Sequence, residues 1–250
     1  AHAAYHYALA WKITGNVKYA QASVNILNAW TATCKSINGD SNMSLAAGLY
    51  GYQFANAGEL MRDYSGWTSD EFKAFQQWLI DVFYVANHDF IVRHHGTHTL
   101  NYWANWPLCN LASMLSIGIV SDRRDIYNEA VEHLLNGDSN GCLKKTIVHV
   151  FDGENASLAQ IQESGRDQGH ATLVIGLLGM MTYNQGDDFY GYNNNVILKA
   201  AEYVAKYNVA MLDVPFVQYN GYNVVHTEIS ADARGTSRPM HEVLYWHYAR

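Results

Sequence analysis

The chain has few of the residues that interrupt or cross-link a fold. Proline and cysteine each occur only three times in 250 residues. With so few prolines and no shift in composition along the chain, the sequence predicts one domain over residues 1–250. The cysteines show no Cys-x-x-Cys spacing, which excludes a zinc ribbon and a thioredoxin-type motif. No apolar run reaches about 18 residues, so no membrane-spanning helix is predicted.

Charged residues are also scarce, at 16% of the chain against a usual fraction of about 25%. The formal net charge is −7, and no run rich in lysine or arginine is present to neutralise phosphates. We therefore expect no nucleic-acid partner. With no apolar run of membrane-spanning length, we also expect no membrane partner. An anionic substrate remains compatible with this charge, because a local basic pocket can lie on an acidic surface. We expect the protein to be a monomer.

Several catalytic signatures are missing as well. The sequence has no G-x-S-x-G nucleophile elbow and no glycine-rich phosphate loop. Four histidines, at positions 88, 94, 95 and 98, lie close together, but no acidic residue completes a zinc pattern such as H-E-x-x-H. These absences argue against serine-nucleophile and nucleotide chemistry. We expect no metal and no cofactor.

What the chain does contain is helical periodicity, with apolar residues at spacings of three and four. This pattern predicts helices over residues 3–14, 17–34, 45–64, 68–83, 102–120, 125–135, 169–183 and 195–208, and from Pro239 onward. Residues 88–99 are predicted to be a connection, and β character is predicted at 147–158, 216–219 and 222–225. Helices of this length joined by short loops indicate an all-α array of hairpins. Periodicity leaves open whether the array is a closed ring or an irregular bundle. Since the chain starts within a predicted helix and ends without a cap, we expect truncation at both ends.

The segment Gln162–Ala171 is the first candidate site. It places Glu163, Arg166, Asp167 and His170 at the entrance of an uncharged helix. Ionisable groups are costly to hold at a buried position without partners. The alternative is a helix N-terminus whose acids complement the macrodipole.

The segment Asn101–Trp106 is the second candidate. An asparagine amide can orient a sugar carboxylate or hydroxyl while neighbouring rings stack on the sugar. The alternative is a helix start with an asparagine cap and core aromatics.

A third candidate joins Arg238 and Tyr245, which are seven residues apart and should share a helix face. An arginine can hold a carboxylate through two hydrogen bonds, and it can lower the pKa of a nearby phenol. The alternative is an ordinary surface pair. With an asparagine and a histidine added, these residues suit proton abstraction next to a carboxylate, since amide, imidazolium and guanidinium groups stabilise the charge that develops there.

Several stretches resemble the alginate lyase superfamily of α/α-toroid polysaccharide lyases. They share helical-hairpin segments with it and lie at Tyr7–Ala20, Ile26–Trp30, Ala47–Leu60, Met114–Asp122 and Tyr203–Asn208. The segments 162–170 and 238–245 are most similar to polysaccharide lyase family thirty-eight, whose members cleave alginate or glucuronan. The resemblance implies an (α/α)n toroid, an incomplete barrel of antiparallel helical hairpins with a few short β-strands in loops.

The resemblance also implies catalytic roles. Tyr245 would be the general acid and, for syn elimination, also the base. His170 would lie beside the substrate carboxylate or act as base for the opposite epimer, oriented by Glu163. Asn105 (or Asn101) and Arg238 would neutralise the carboxylate.

Further residues are expected to contact the substrate: Asn101, Tyr102, Trp103, Trp106, Arg166, His98, Arg234, His247 and Tyr248. Two of them also compete for catalytic roles, Arg234 with Arg238 and Tyr248 with Tyr245.

Together these features predict a secreted polysaccharide lyase, periplasmic if bacterial, acting on a β-1,4-linked uronan. Mannuronate-rich alginate is the first expected substrate and glucuronan the second, cleaved by β-elimination to 4,5-unsaturated ends. Two alternatives remain. An inverting glycoside hydrolase would pair Glu163 with Glu228 or Glu242, about 6.5–9.5 Å apart. A non-catalytic glycan-binding toroid would need only the aromatics.

Overall fold

The structure is a computed structural model that describes residues 1–152, 158–162, 168–232, 234–236, 239 and 241–249, with only the backbone described at 168–173. Helices dominate it. Their bounds are α1 (His2–Thr14), α2 (Val17–Thr33), α3 (Asn42–Met61), α4 (Ser69–Trp78), α5 (Val85–Arg93), α6 (Asn105–Val120), α7 (Arg124–Asn136), α8 (Leu143–Thr146), α9 (Gln168–Asn184), α10 (Tyr192–Val204) and α11 (His241–Tyr248). Two π-helical turns, Leu79–Tyr84 and Ala205–Val209, follow α4 and α10.

Two short antiparallel hairpins lie between the helices. Strand β1 (Ile147–Phe151) pairs with β2 (Leu158–Ile161), and β3 (Tyr219–Gly221) pairs with β4 (Val224–His226). The prediction of an all-α fold with a few short strands is confirmed. The toroidal arrangement of its hairpins stays a prediction. Among the described helices, none combines the length and the apolar character that crossing a bilayer requires.

The chain forms two compact units. The first contains Ala1–Gly96 and Cys109–Glu132, and the second contains Thr97–Leu108 and His133–Arg250. The candidate segment 101–106 therefore belongs to the second unit, together with β1 to β4 and helices α8 to α11.

An aromatic core stabilises the first unit. Phe54 and Phe75 are almost fully buried, and Trp78 and Phe83 are nearly so. The ring of Phe54 lies edge-on to Trp78 at 5.3 Å between centroids, and Trp78 meets Phe83 in the same way at 5.2 Å. Edge-to-face pairs add about 0.5–1.5 kcal/mol each beyond area burial. In the first unit these aromatic residues therefore serve core packing.

Helix α4 begins at the capping signal that the sequence contains. The Thr68 hydroxyl accepts a hydrogen bond from the Glu71 amide at 3.3 Å, and a Glu71 carboxylate oxygen accepts one from the Thr68 amide at 3.0 Å. This reciprocal pair satisfies two amides that a helix start leaves without partners. The helix start predicted near residue 68 is confirmed.

The predicted connection over residues 88–99 is wrong in its first half. Residues His88 to Arg93 continue helix α5, whose Phe90 and Ile91 are buried. The helix ends at His94, which adopts a left-handed φ of 50°. The four histidines between positions 88 and 98 favour a loop by their polarity. The buried side chains of Phe90 and Ile91 nevertheless keep residues 88–93 helical.

In the second unit, β2 is buried along its whole length and packs against α10. The β3–β4 hairpin is displaced by up to three residues from its predicted strands, and its turn contains Tyr222 and Asn223. Asn223 has a φ of 59°, a left-handed conformation that asparagine tolerates better than most residues. The turn brings Tyr222 to the tip of the hairpin.

Candidate functional site

The loop from Thr97 to Ala104 leads into α6 and carries the predicted aromatic segment. Inside this loop the Leu100 amide donates a hydrogen bond to Nδ1 of His98 at 3.1 Å. The buried Asn140 holds the loop from below, since its Nδ2 donates to the carbonyl oxygens of Leu100 at 3.1 Å and Tyr102 at 2.8 Å. The loop therefore has a defined backbone shape despite its exposed side chains.

The β3–β4 hairpin packs against this loop and forms an aromatic cluster with it. We use this name for His98, Trp103, Tyr219, Tyr222 and His226. The His98 and Tyr222 rings are stacked at 4.6 Å with an interplanar angle of 6°, and Trp103 meets His226 edge-on at 5.0 Å. Tyr219 stacks on His226 at 4.6 Å. Rings from two sequence-distant segments thus meet on one side of the second unit.

His98 has a defined tautomer in its neutral form. Because Nδ1 accepts the Leu100 amide, the proton must lie on Nε2. Neutral His98 therefore presents an N–H donor, and its remaining ring nitrogen has no free lone pair. This geometry suits binding to a carboxylate or hydroxyl oxygen better than abstraction of a proton.

His226 lies deeper in the aromatic cluster. Its Nε2 is buried and has no hydrogen-bond partner in the described part of the chain. Burial lowers the pKa of His226 below its ordinary value, so the ring is neutral at pH 7. A Cβ at Gly221 would lie 3.4 Å from Nε2 of His226, 3.4 Å from the Trp103 ring and 3.0 Å from Val224. Glycine at 221 thus lets the hairpin approach Trp103 closely.

Asn105 is the first residue of α6. Its Oδ1 is buried and accepts no hydrogen bond from the described residues. A buried polar atom left without a partner costs about 1–3 kcal/mol, and such atoms call for a specific explanation in a folded protein. Of the two asparagines proposed for the carboxylate, Asn101 is exposed and Asn105 half-buried. The adjacent Tyr102 and Trp106 rings lie 4.8 Å apart.

Helix α11 places the two candidate tyrosines in different surroundings. Tyr245 is 62% exposed and lies on the rim of a groove of ≈ 910 Å³ with Glu202, Lys206 and His241. Tyr248 lines the same groove, but its hydroxyl donates to the Tyr190 carbonyl oxygen at 2.8 Å. Burial raises the pKa of Tyr248 far above its ordinary value. Of the two phenols, the exposed one is thus better suited to exchange a proton with a ligand.

His247 serves packing in the same helix. Its ring stacks on Tyr190 at 3.9 Å and meets Tyr183 edge-on at 4.8 Å. It contributes to the contact between α11 and the end of α9, and it is half-buried. These contacts account for His247 without a ligand.

Arg234 is partly engaged by its own unit. Its Nη2 donates to the Met211 carbonyl oxygen at 2.8 Å and to the Asp213 carboxylate at 3.2 Å. The guanidinium lies 4.3 Å from the centroid of the Tyr207 ring, while its buried Nε has no partner among the described residues. Arg234 therefore holds the segment after α10 in place.

Some predicted residues cannot be placed. Glu163, Arg166 and Arg238 lie outside the described residues, and of His170 only the backbone is described. The predicted meeting of these groups with Tyr245 therefore stays a prediction. Glu228 and Glu242, the carboxylates of the hydrolase alternative, are both exposed.

Sequence reasoning missed the hairpin half of the aromatic cluster, which consists of Tyr219, Tyr222 and His226. The only signal was the β character predicted around these residues, which shows a hairpin but not the loop it packs against. The cluster depends on that packing.

Comparison with known proteins gives one family match. The sequence model of the alginate lyase family, described as alginate lyase, matches residues 1–146. That range includes the loop with His98, Trp103 and Asn105, whereas the hairpin and α11 lie beyond it. Neither the search of curated proteins nor the search of solved structures found a match. Because the matched range covers more than half of the chain, the protein belongs to the alginate lyase family.

Proposed function

We propose that the protein is a polysaccharide lyase that cleaves a β-1,4-linked uronan by β-elimination. Mannuronate-rich alginate is the first candidate substrate and glucuronan the second. Membership of the alginate lyase family supports a lyase acting on alginate-like substrates. The observation that carries the proposal is the unpaired buried amide oxygen of Asn105, two residues after Trp103 of the aromatic cluster.

The difficult step in this reaction is removal of the C5 proton, which leaves negative charge on the neighbouring carboxylate. Donors aimed at that charge lower the barrier. Three groups supply them in this proposal: the Asn105 amide, the Nε2–H of His98 and the Arg238 guanidinium. Donation by Asn105 requires its NH₂ group to face the carboxylate.

The proton transfers belong to Tyr245. Its phenolate takes the C5 proton, and the resulting phenol then protonates the O4 oxygen as the C4–O4 bond breaks. Two electrons from the C5–H bond form the C4–C5 double bond, so the step balances without a co-reactant. The exposure of Tyr245 supports this role, and the hydrogen-bonded, half-buried hydroxyl of Tyr248 argues against the alternative.

The remaining roles follow the same chemistry. Rings of the aromatic cluster, with Tyr102 and Trp106, provide faces on which sugar rings stack. His170 lies beside the carboxylate or acts as base for the opposite epimer, with Glu163 orienting it. We also propose that the enzyme is secreted and is related to polysaccharide lyase family thirty-eight.

One absorbance assay tests the proposal. The purified protein is incubated with polymannuronate, polyguluronate, glucuronan and a neutral mannan, and the ultraviolet absorbance of the unsaturated product is followed. The expected result is a rise with at least one uronan, largest with polymannuronate, and none with mannan. Cleavage without that absorbance would show a hydrolase, and binding without cleavage would show a glycan-binding protein. Either outcome rejects the lyase.

A further inference from the structure

Two buried glutamines lie at the end of strand β2, Gln160 within the strand and Gln162 directly after its last residue. Gln160 has no exposed surface and Gln162 is 9% exposed. Buried amides require hydrogen-bond partners. Gln160 bonds Val217, which precedes the hairpin, and Gln162 bonds Asn140 and Lys145, which lie outside both segments of the aromatic cluster.

Gln160 holds the hairpin side. Its Oε1 accepts from the Val217 amide at 2.9 Å, and its Nε2 donates to the Val217 carbonyl oxygen at 2.9 Å. One side chain thus reproduces both hydrogen bonds that a neighbouring strand would make with this residue. Val217 lies two residues before β3. The two hydrogen bonds from Gln160 to Val217 therefore fix the position at which the hairpin begins.

Gln162 holds the loop side through one intermediate. Its Nε2 donates to Oδ1 of Asn140 at 2.9 Å and to the Lys145 carbonyl oxygen at 2.9 Å. With its oxygen fixed in this way, Asn140 directs Nδ2 at the loop carbonyls of Leu100 and Tyr102. The loop therefore takes its position from the residue that directly follows β2.

We propose that Gln160 and Gln162 are positioning residues that set the separation between the two sides of the aromatic cluster. The loop side contributes His98 and Trp103, and the hairpin side contributes Tyr222 and His226. A shift of either segment would separate the His98–Tyr222 stack. Binding of a uronan by the cluster rests on the proposed function. Positioning of the cluster by the two glutamines does not.

Hydrogen exchange tests the positioning without substrate. In the wild-type protein the Val217 amide should exchange slowly even though the residue is 38% exposed. In Gln160→Met, amides 217–226 should exchange at least about ten-fold faster, the size expected for loss of one or two hydrogen bonds. Gln53→Met is the matched control, since Gln53 is a similarly buried glutamine in α3 of the first unit. Fast exchange at Val217 in the wild type would overturn the proposal even if no variant folds.

A double-mutant cycle tests the consequence for binding. Gln160→Met and Tyr222→Ala should each raise KM for the uronan about ten-fold with kcat changed less than about two-fold. If Gln160 acts by positioning Tyr222, the double variant should be little worse than either single variant. If KM of the double variant instead rises about a hundred-fold, the product of the two single effects, the two residues act independently and the coupling is rejected. An inactive wild type would reject the proposed lyase function, and hydrogen exchange would still decide whether Gln160 positions the hairpin.

Discussion

The ring of Tyr222 lies parallel to the imidazole of His98, with 4.6 Å between centroids and 6° between planes. The two residues come from the hairpin tip and from the loop before α6, and both are exposed. Their stack is the outermost contact between the two sides of the aromatic cluster. It orients His98 so that its Nε2–H remains available to a ligand.

Truncation of Tyr222 should weaken substrate binding more than catalysis. Tyr222→Ala removes the ring that holds His98, and an aromatic pair is worth about 0.5–1.5 kcal/mol. We expect KM for the uronan to rise about ten-fold, the upper end of that range, with kcat changed less than about two-fold, measured by steady-state kinetics. Tyr222→Phe keeps the ring and should behave as the wild type.

The matched control is Tyr19→Ala in the first unit. Tyr19 is similarly exposed and also stacks on another ring, that of Tyr7. It should leave KM unchanged. If Tyr222→Phe is as impaired as Tyr222→Ala, the hydroxyl rather than the stack is responsible.

Removal of the two phenols of α11 should have opposite consequences. Tyr245→Phe should abolish the rise in ultraviolet absorbance and leave thermal unfolding unchanged, because its exposed hydroxyl has no partner among the described residues. Tyr248→Phe should retain activity but lose about 1 kcal/mol of stability, because its hydroxyl bonds the Tyr190 carbonyl oxygen in a half-buried position. Full activity in Tyr245→Phe would remove this residue from the mechanism.

Acidification should loosen the hairpin through His226. Burial lowers the pKa of this ring in the folded state below its ordinary value of 6.5, so the unfolded state binds more protons near and below that pH. Stability from neutral His226 is therefore complete above pH 6.5 and is lost as the pH falls below it. The protection factors of amides 219–226, which correct for the slower intrinsic exchange at lower pH, should fall between pH 7 and pH 5.

Nuclear magnetic resonance titration of the His226 ring checks the cause directly. Its midpoint should lie below the ordinary value in the wild type. In Trp103→Ala it should return toward that value, since the Trp103 ring covers the imidazole. A wild-type midpoint at or above 6.5 would contradict the desolvated position.

Local sequence signals predicted much of the secondary structure. The Thr68–Glu71 pair marks the start of α4, and the Gly15–Asn16 step separates α1 from α2, because capping and turn preferences act over a few residues. The segment 101–106 was recognised as a candidate because asparagine and aromatic residues adjoin in the chain. The connection predicted from His88 onward is wrong in its first half, because the buried side chains of Phe90 and Ile91 extend helix α5.

The sequence by itself therefore determined most of the helices, the family and one side of the candidate site. Only the tertiary structure decided that Tyr222 meets His98, that Gln160 holds Val217 across 57 residues, and that Tyr245 is exposed while Tyr248 is bonded. Contacts between distant segments depend on which buried surfaces pack together. Residue spacing within one segment carries no information about that packing.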